Sequence, residues 1–471
     1  MCGIIGMIGL DDVADRIFQG LQRLEYRGYD SAGIATLDDT QTIRRRRAQG
    51  KLVNLQTALD QDPLNGHAGI GHTRWATHGA ATEDNAHPHA NDRVALVHNG
   101  IIENYAGLRD ELQAAGYRFS SDTDTEVIVH LVTSYLDQGL TPRDAANAAL
   151  DRLEGAYALV MIFADNDQLM LGARQGTPLV VGYGEDEMYL ASDSYALAPL
   201  TRHITFLEDG DRVAVYRDHV EIYDAANNAL ERPVRVTAQS GAATGKGEYD
   251  HFMLKEIHEQ AEVIGDTLNS FINPATGQIS LPQGVSGTLA GASRLTLIAC
   301  GTSLYACMIA KNWFEAQAGM PCEVDIASEF RYRGAPLPED GVAIFVSQSG
   351  ETLDTLEALR YCKKQGQTTI AIVNTMESTI ERESHHVLHT LAGPEIGVAS
   401  TKAFTTQLVT LACMALSTAI HNARLDDEQA RDHIHALRDV PGACAHMLTH
   451  DADIATIGRD IAVARDVLYL G

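Results

Sequence analysis

The chain has 471 residues, 45% of them hydrophobic and 21% charged, and a formal net charge of −27. That length exceeds one hydrophobic core and predicts two or three domains, and the acidic balance argues against a nucleic-acid partner, which wants a basic face. No apolar run reaches the roughly 20 residues of a membrane span, no signal-peptide layout opens the chain, and seven cysteines without a C-x-x-C read as the reduced thiols of a cytoplasmic protein.

Residues 2–9 are a glycine-rich apolar run, short enough for a buried strand. Cys2 becomes residue one once Met1 is removed, which a side chain this small permits. It then carries a thiol and a free α-amine a few bonds apart. An α-amine titrates near pKa ~8, so the nucleophile brings its own general base. An ordinary second-position cysteine is the alternative. Asp11 and Asp12 stand where they could cap a helix with Val13, Ile17, Leu21 and Leu24 on one face, ending by Gly28. The polar, glycine-broken segment 25–33 precedes a strand at 34–37 and reads equally as a site wall or a turn. The arginine run 44–47 lies in a β-like stretch and is expected at a solvated edge.

Six histidines lie between His67 and His98. A metal site has to be considered, yet no Cys, Asp or Glu stands beside them at ligand spacing, so hydrogen-bonded structural histidines are expected. Arg74 is a candidate for a substrate carboxylate, because arginine offers a planar, permanently charged fork. A strand at 94–97 leads into Asn99 and Gly100. A side-chain amide and an unobstructed backbone N–H there are what an oxyanion hole requires, although an Asn-Gly pair is also a plain turn. Segment 121–126 reads as a cap for the helix through Val127, Ile128 and Leu131, with one carboxylate able to hold an ammonium group.

The segments Cys2-Gly3-Ile4, 26–31, 72–79, 98–100 and 121–126 resemble, in this order, the class II glutamine amidotransferase domain. The resemblance covers about residues 2–220 and implies the N-terminal-nucleophile hydrolase fold, an α/β/β/α sandwich. It implies Cys2 as nucleophile, Asn99 and Gly100 as oxyanion hole, Arg74 on the carboxylate of L-glutamine and Asp124 on its ammonium. Thr77 and His78 would line the same pocket, and Trp75 resembles the family's gate on an ammonia passage. Alternating strand-like runs at 157–164, 168–171, 179–182 and 219–223 suit the rest of such a sandwich.

Residues 225–250 read as a linker, Gly/Ala/Ser-rich over 237–248, and a helix opens at 251. Strands are expected at 295–299, 342–346 and 369–373, with helices at 304–318 and 353–364. Two of these strands enter loops of hydroxyls and glycines that open a helix. Such loops supply O–H groups, free backbone N–H groups and a positive helix end, a phosphate cradle that needs no lysine. The G-x-G-x-x-G fingerprint of a nicotinamide site is absent, and no cofactor is expected.

Segments 299–303, 327–333, 347–355 and 395–405 resemble the sugar isomerase domain, a flavodoxin-like α/β parallel-sheet unit that binds phosphosugars. Behind a glutaminase, the combination resembles the glutamine-dependent enzymes that aminate fructose 6-phosphate to glucosamine 6-phosphate. That implies Thr302, Ser303, Ser347, Gln348, Ser349 and Thr352 around the sugar phosphate, Val398 near the sugar, and a homodimer joined through this half. The domains expected are 2–224, a linker 225–250, 251–425, and at 426–471 a helical connection with the first strand of a second sugar isomerase unit. Residues 1–471 alone are therefore expected to release glutamate and ammonia without making amino sugar. Two rivals share parts of this reading. A phosphoribosylamine-forming amidotransferase would need a phosphoribosyl-diphosphate loop, and a non-catalytic phosphosugar regulator would have lost Cys2, Arg74 or Asn99.

Overall fold

The computed structural model of the chain describes residues 2–25, 28, 30–76, 78–237, 245–273 and 275–468. The chain divides into two compact units, Met1–Thr244 and Gly245–Gly471.

The first unit is built on the strand Gly3–Ile8, whose six residues are all buried. It lies antiparallel between Ala68–Arg74 and Met188–Ala191 inside an eight-stranded sheet. Because successive side chains point to opposite faces, this strand serves two cores. Ile4 and Ile8 join Val97, Val160 and Val213 between the sheets. Ile5 and Met7 join Ile17, Leu21 and Leu24 of the helix Ala14–Leu24. The second sheet has six strands, with Val94–Ile102 paired to Gly155–Phe163. Its outer face is covered by the helices Tyr105–Ala114, Glu126–Asp137 and Pro142–Leu150. Helix, sheet, sheet, helix is the α/β/β/α sandwich that the motif resemblance implies.

Local details differ from the sequence expectations where tertiary partners compete. The helix from Ala14 has Val13 at its N-cap and no side-chain cap. Asp12 instead accepts the Gly66 N–H at 2.7 Å. The arginine run occupies the edge strand Ile43–Gln49, but only half of it faces solvent-side partners. Arg44 pairs with Asp38 and Arg46 with Asp62. Arg45 and Arg47 turn the other way, donating to the carbonyls of Pro88, Asp84 and Ala86. The expected linker begins later than residue 225, because Arg235–Val236 pairs with His203–Phe206 and Thr237 N–H bonds the Arg202 carbonyl. Residues 238–244 lie outside the described residues.

The second unit is a five-stranded parallel sheet in the order Cys322–Ile326, Leu295–Ala299, Val342–Ser347, Thr368–Val373, His386–His389. In chain order this is 2-1-3-4-5, the flavodoxin-like arrangement, whose switch point lies between the first and third strands. The helix Lys402–His421 has a mean hydropathy of 1.5 over its most apolar window, and 72% of that window is buried. Leu411, Met414 and Leu416 pack there with Phe314 and Leu297, so it is a core helix of this unit. Beyond it, Asp427–Leu448 starts at an Asp426–Gln429 capping box and buries only Ile434, and Asp451–Ile461 buries nothing. The strand expected at 466–471 is not formed at 466–468, where Val467 and Leu468 are exposed. Residues 469–471, Leu470 among them, lie outside the described residues.

Candidate active site

Each unit carries one cluster of polar side chains at strand ends. In the first unit Cys2 immediately precedes the strand Gly3–Ile8, and the neighbouring strand Ala68–Arg74 ends at Arg74, so the two termini lie side by side. Trp75 N–H donates to Cys2 Sγ at 3.2 Å, and Sγ lies 3.5 Å from the Trp75 carbonyl. Cys2 is half-buried. Burial raises its thiol above the ordinary value, and the Trp75 bond and the Arg74 charge pull the other way.

Asn99 and Gly100 reach the same place from the second sheet. Asn99 is 4% exposed and its Nδ2 donates to the Cys2 carbonyl at 3.1 Å, a bond from one sheet to the other. Gly100 has φ +129°, and a Cβ there would collide with the Ala156 carbonyl. Only glycine keeps that backbone conformation beside Ala156 without a clash. Asp124 is 4% exposed and accepts the Ile102 N–H at 2.8 Å, so its carboxylate is seated on the strand that carries Asn99. Arg74 is buried, and its guanidinium donates to the carbonyls of His78, Gly79 and Ala80. The His78 ring meets Tyr105 edge-on at 5.5 Å. Trp75 is 45% exposed at the rim. Thr77, like Tyr26, Arg27 and Tyr29, lies outside the described residues.

The expected cap at 121–126 takes another form. The helix begins at Glu126 with Thr125 as N-cap and no side-chain cap bond. Glu126 instead folds back to accept the N–H groups of Ser120 and Ser121, which fixes the turn holding Asp124. Two residues quoted in the motifs without a role contact the site's own residues. Asp30 accepts the Ala76 N–H and the Ser31 hydroxyl, tying down the segment after Arg74. His72, two residues before Arg74, shares its strand face and points into the second sheet, 3.0 Å from Asn99 Oδ1. The two-residue period was the signal that could have found it.

His72 belongs to a buried stack. Its ring lies 4.2 Å from that of His87, which meets His89 at 4.8 Å. His98 hydrogen-bonds Thr125, and His89 bonds Thr123. Among the described residues no group of three or more His, Cys, Asp or Glu is arranged to hold a metal ion. Burial pushes His72 down to about 3 and lowers His87, His89 and His98 as well. In the unfolded chain these imidazoles titrate near ~6.5. As pH falls from there toward 3, unfolding takes up protons that the folded state refuses. Stability is therefore fully present above ~6.5 and declines below it, by up to about 1.4 kcal/mol per pH unit for a histidine such as His72 whose folded value lies near 3. A denaturant midpoint followed from pH 7.5 to 4.5 should fall steeply, and a flat profile would show that the stack is not held neutral.

In the second unit the loops after the first and third strands meet at the switch point. The first opens the helix Gly301–Ala316 with Cys300 as N-cap, Thr302 exposed and Ser303 8% exposed. The other runs from Ser347 to Thr352, the N-cap of Leu353–Lys364. Ser347 Oγ accepts the Gly350 N–H at 3.0 Å and lies 3.2 Å from Thr352 Oγ1. Ser349 Oγ accepts the Glu351 N–H at 3.1 Å. Gln348 is half-buried, and its carbonyl takes the N–H groups of Asn374 and Thr375. Two helix N-termini and a ring of hydroxyls thus converge, an environment suited to an oxyanion. Val398 is 63% exposed on a loop fixed from below. Buried Glu256 accepts the N–H groups of Ile396 and Gly397, and Glu395 accepts those of Thr401 and Ala403. Sequence reasoning gave neither glutamate a role.

Residues 72–199 match the glutamine amidotransferase domain family, and residues 288–417 match the SIS domain family. Over all 471 residues the chain is 52% identical to a glutamine–fructose-6-phosphate aminotransferase (isomerizing) of Bradyrhizobium diazoefficiens. It is 51% identical to the proteins so named from Brucella abortus and Gluconobacter oxydans. In each case it covers 77% of the relative. Among solved structures, the C-terminal domain of glucosamine-fructose-6-phosphate aminotransferase from Francisella tularensis is 40% identical over 47% of this chain and 62% of that one, with a TM-score of 0.45. Glutamine phosphoribosylpyrophosphate amidotransferase from B. subtilis is 18% identical, covers 83% of this chain and 91% of its own, and has a TM-score of 0.44.

Proposed function

Because the chain belongs to the glutamine–fructose-6-phosphate aminotransferase (isomerizing) family, we propose that Cys2, once Met1 is removed, is the nucleophile that frees the glutamine amide nitrogen. The overall reaction moves that nitrogen to fructose 6-phosphate and gives glucosamine 6-phosphate. The Cys2 α-amine takes the thiol proton and becomes the α-ammonium as the sulfur adds to the amide carbon and the carbonyl electron pair moves to oxygen. Asn99 Nδ2 and the Gly100 N–H stabilise that oxyanion. Collapse breaks the C–N bond, the leaving nitrogen takes a proton from the Cys2 α-ammonium, and the amine then serves as base while water hydrolyses the thioester. Arg74 and Asp124 bind the carboxylate and ammonium of glutamine, His78 lines its pocket, and Trp75 gates the exit of ammonia.

The observation that carries this reading is the bond from Asn99 to the carbonyl of Cys2, which joins the oxyanion donors on one sheet to the nucleophile on the other. In the second unit Thr302, Ser303, Ser347, Gln348, Ser349 and Thr352 cradle the sugar phosphate, with Val398 beside the sugar. The net charge of −27 repels a phosphosugar at long range, so a local cradle is needed. The test is isotopic. Protein isolated from its source, as distinct from residues 1–471 alone, should yield ¹⁵N-labelled hexosamine phosphate when given amide-¹⁵N glutamine and fructose 6-phosphate, and unlabelled product or none would overturn the reading. A cytoplasmic homodimer joined through the sugar isomerase half belongs to the same proposal. Exposed Tyr305, Met308 and Ile309 on the helix Gly301–Ala316 support it, and sedimentation checks it.

A further inference from the structure

We propose that His72 is a positioning residue for amide hydrolysis, its Nε2–H fixing the Asn99 carboxamide so that nitrogen rather than oxygen faces the forming oxyanion. This rests on the reading of Cys2 as nucleophile and Asn99 as oxyanion donor. A terminal carboxamide torsion is soft and roughly two-fold. An amide that turned over would present Oδ1, an acceptor, to a negative charge. Something must therefore hold one orientation.

The bonds around His72 do so. Its Nε2 lies 3.0 Å from Asn99 Oδ1 and 3.0 Å from the His98 carbonyl. Two acceptor oxygens converging on one ring nitrogen require that nitrogen to carry the hydrogen. On its far side, Asn99 Nδ2 donates to the Cys2 carbonyl, which fixes which end of the amide is nitrogen. Reversing the amide would set Oδ1 against that carbonyl and N–H against N–H at His72, so both ends resist reversal. One Nδ2 hydrogen is used by Cys2, and the second is left to project from the strand.

The imidazole itself has no alternative state. His72 is 0% exposed, and its Nδ1 is buried without a hydrogen-bond partner. The His87 ring stacks on it with an interplanar angle of 27°. A hydrogen on Nδ1 would face no acceptor, so neither the other tautomer nor the cation is accommodated. Burial accordingly holds the ring neutral far below its ordinary value. The Nε2–H tautomer is thus set by the core, and it sets Asn99 in turn.

Three replacements in the otherwise native protein separate positioning from mere packing. His72→Phe keeps a flat ring without a donor, His72→Met fills the site with a flexible apolar chain, and His72→Gln puts an N–H near the position of Nε2. Loss of an oxyanion donor outright costs ~10²–10³ in kcat. His72→Phe and His72→Met should lower glutaminase kcat by about 10- to 100-fold with the KM for glutamine within about twofold, and His72→Gln should recover most of it. Glutamate γ-semialdehyde, which adds to the thiol and carries an oxygen in the hole, should lose affinity in step with kcat. Glutamate, which forms no tetrahedral adduct, should bind as before. Equal activity of Phe, Gln and wild-type proteins, or parallel loss of both ligands, would overturn the proposal. If His72→Phe fails to fold, His72→Gln against His72→Met decides by the same criteria. A wild-type protein without glutaminase activity would instead overturn the reading of the site beneath it.

Discussion

Replacing Cys2 by alanine lowers glutamine hydrolysis by at least about 10⁴-fold, the scale on which loss of a covalent nucleophile acts, and leaves phosphosugar binding intact. The separation follows from where the groups sit. Cys2 opens a strand of the first unit, whereas the hydroxyl ring at Ser347, Ser349 and Thr352 belongs wholly to the second. Cys2→Ser keeps a hydroxyl beside the amine, so its activity falls between the two. Glutamate release measured with and without fructose 6-phosphate, beside a binding isotherm for the phosphosugar, reads both halves. Residual hydrolysis within tenfold of wild type would remove Cys2 from the chemistry. Loss of both properties would show that the substitution acts through folding.

Arg74→Ala raises the KM for glutamine by about two to four orders of magnitude, because removing one partner of a desolvated charge pair typically costs ~3–5 kcal/mol. Simple amides without the α-carboxylate should be affected far less. The structure sharpens this comparison, since the Arg74 guanidinium also ties the carbonyls of His78, Gly79 and Ala80. If Arg74 served only as that anchor, the loop would loosen for every substrate and both classes of amide would lose activity alike. Arg74→Lys keeps a charge but not the fork, so it should recover only part of the glutamine affinity. Equal losses for glutamine and simple amides would assign Arg74 to the loop alone.

Legibility in the sequence tracked how many neighbours an element has. Central strands such as Gly3–Ile8 and Leu295–Ala299 are buried on both faces and show as continuous apolar runs. The two strands missed in the second unit, Cys322–Ile326 and His386–His389, are the edges of its sheet. Glu323, Asp325 and the two histidines make them read as loop. Edge strands need less apolar surface, so hydrophobic patterning does not mark them. The arginine run at 44–47 shows a related effect. Alternation sends Arg45 and Arg47 to the face where the 84–88 segment offers carbonyls, which no local pattern announces.

For the site, Cys2, Arg74 and the Asn99-Gly100 pair stood out by residue type and local order, and the motif resemblance rather than spacing gave them roles. Residues acting through another residue were harder to see. His72, Glu126 and Glu256 each meet their partner only because two elements distant in sequence pack together, or because a side chain reverses toward a preceding turn. Asp12 failed as a cap for the same reason, being engaged by Gly66 across the fold.

The central claim, that glutamine is opened by the thiol of an N-terminal Cys2, is tested most directly by mass spectrometry of protein quenched during glutamine turnover. The account predicts an N-terminal peptide that begins at Cys2, with an unblocked α-amine and a γ-glutamyl group in thioester linkage that hydroxylamine removes. Met1 still attached to active protein, or the glutamyl group on any other residue, would contradict it.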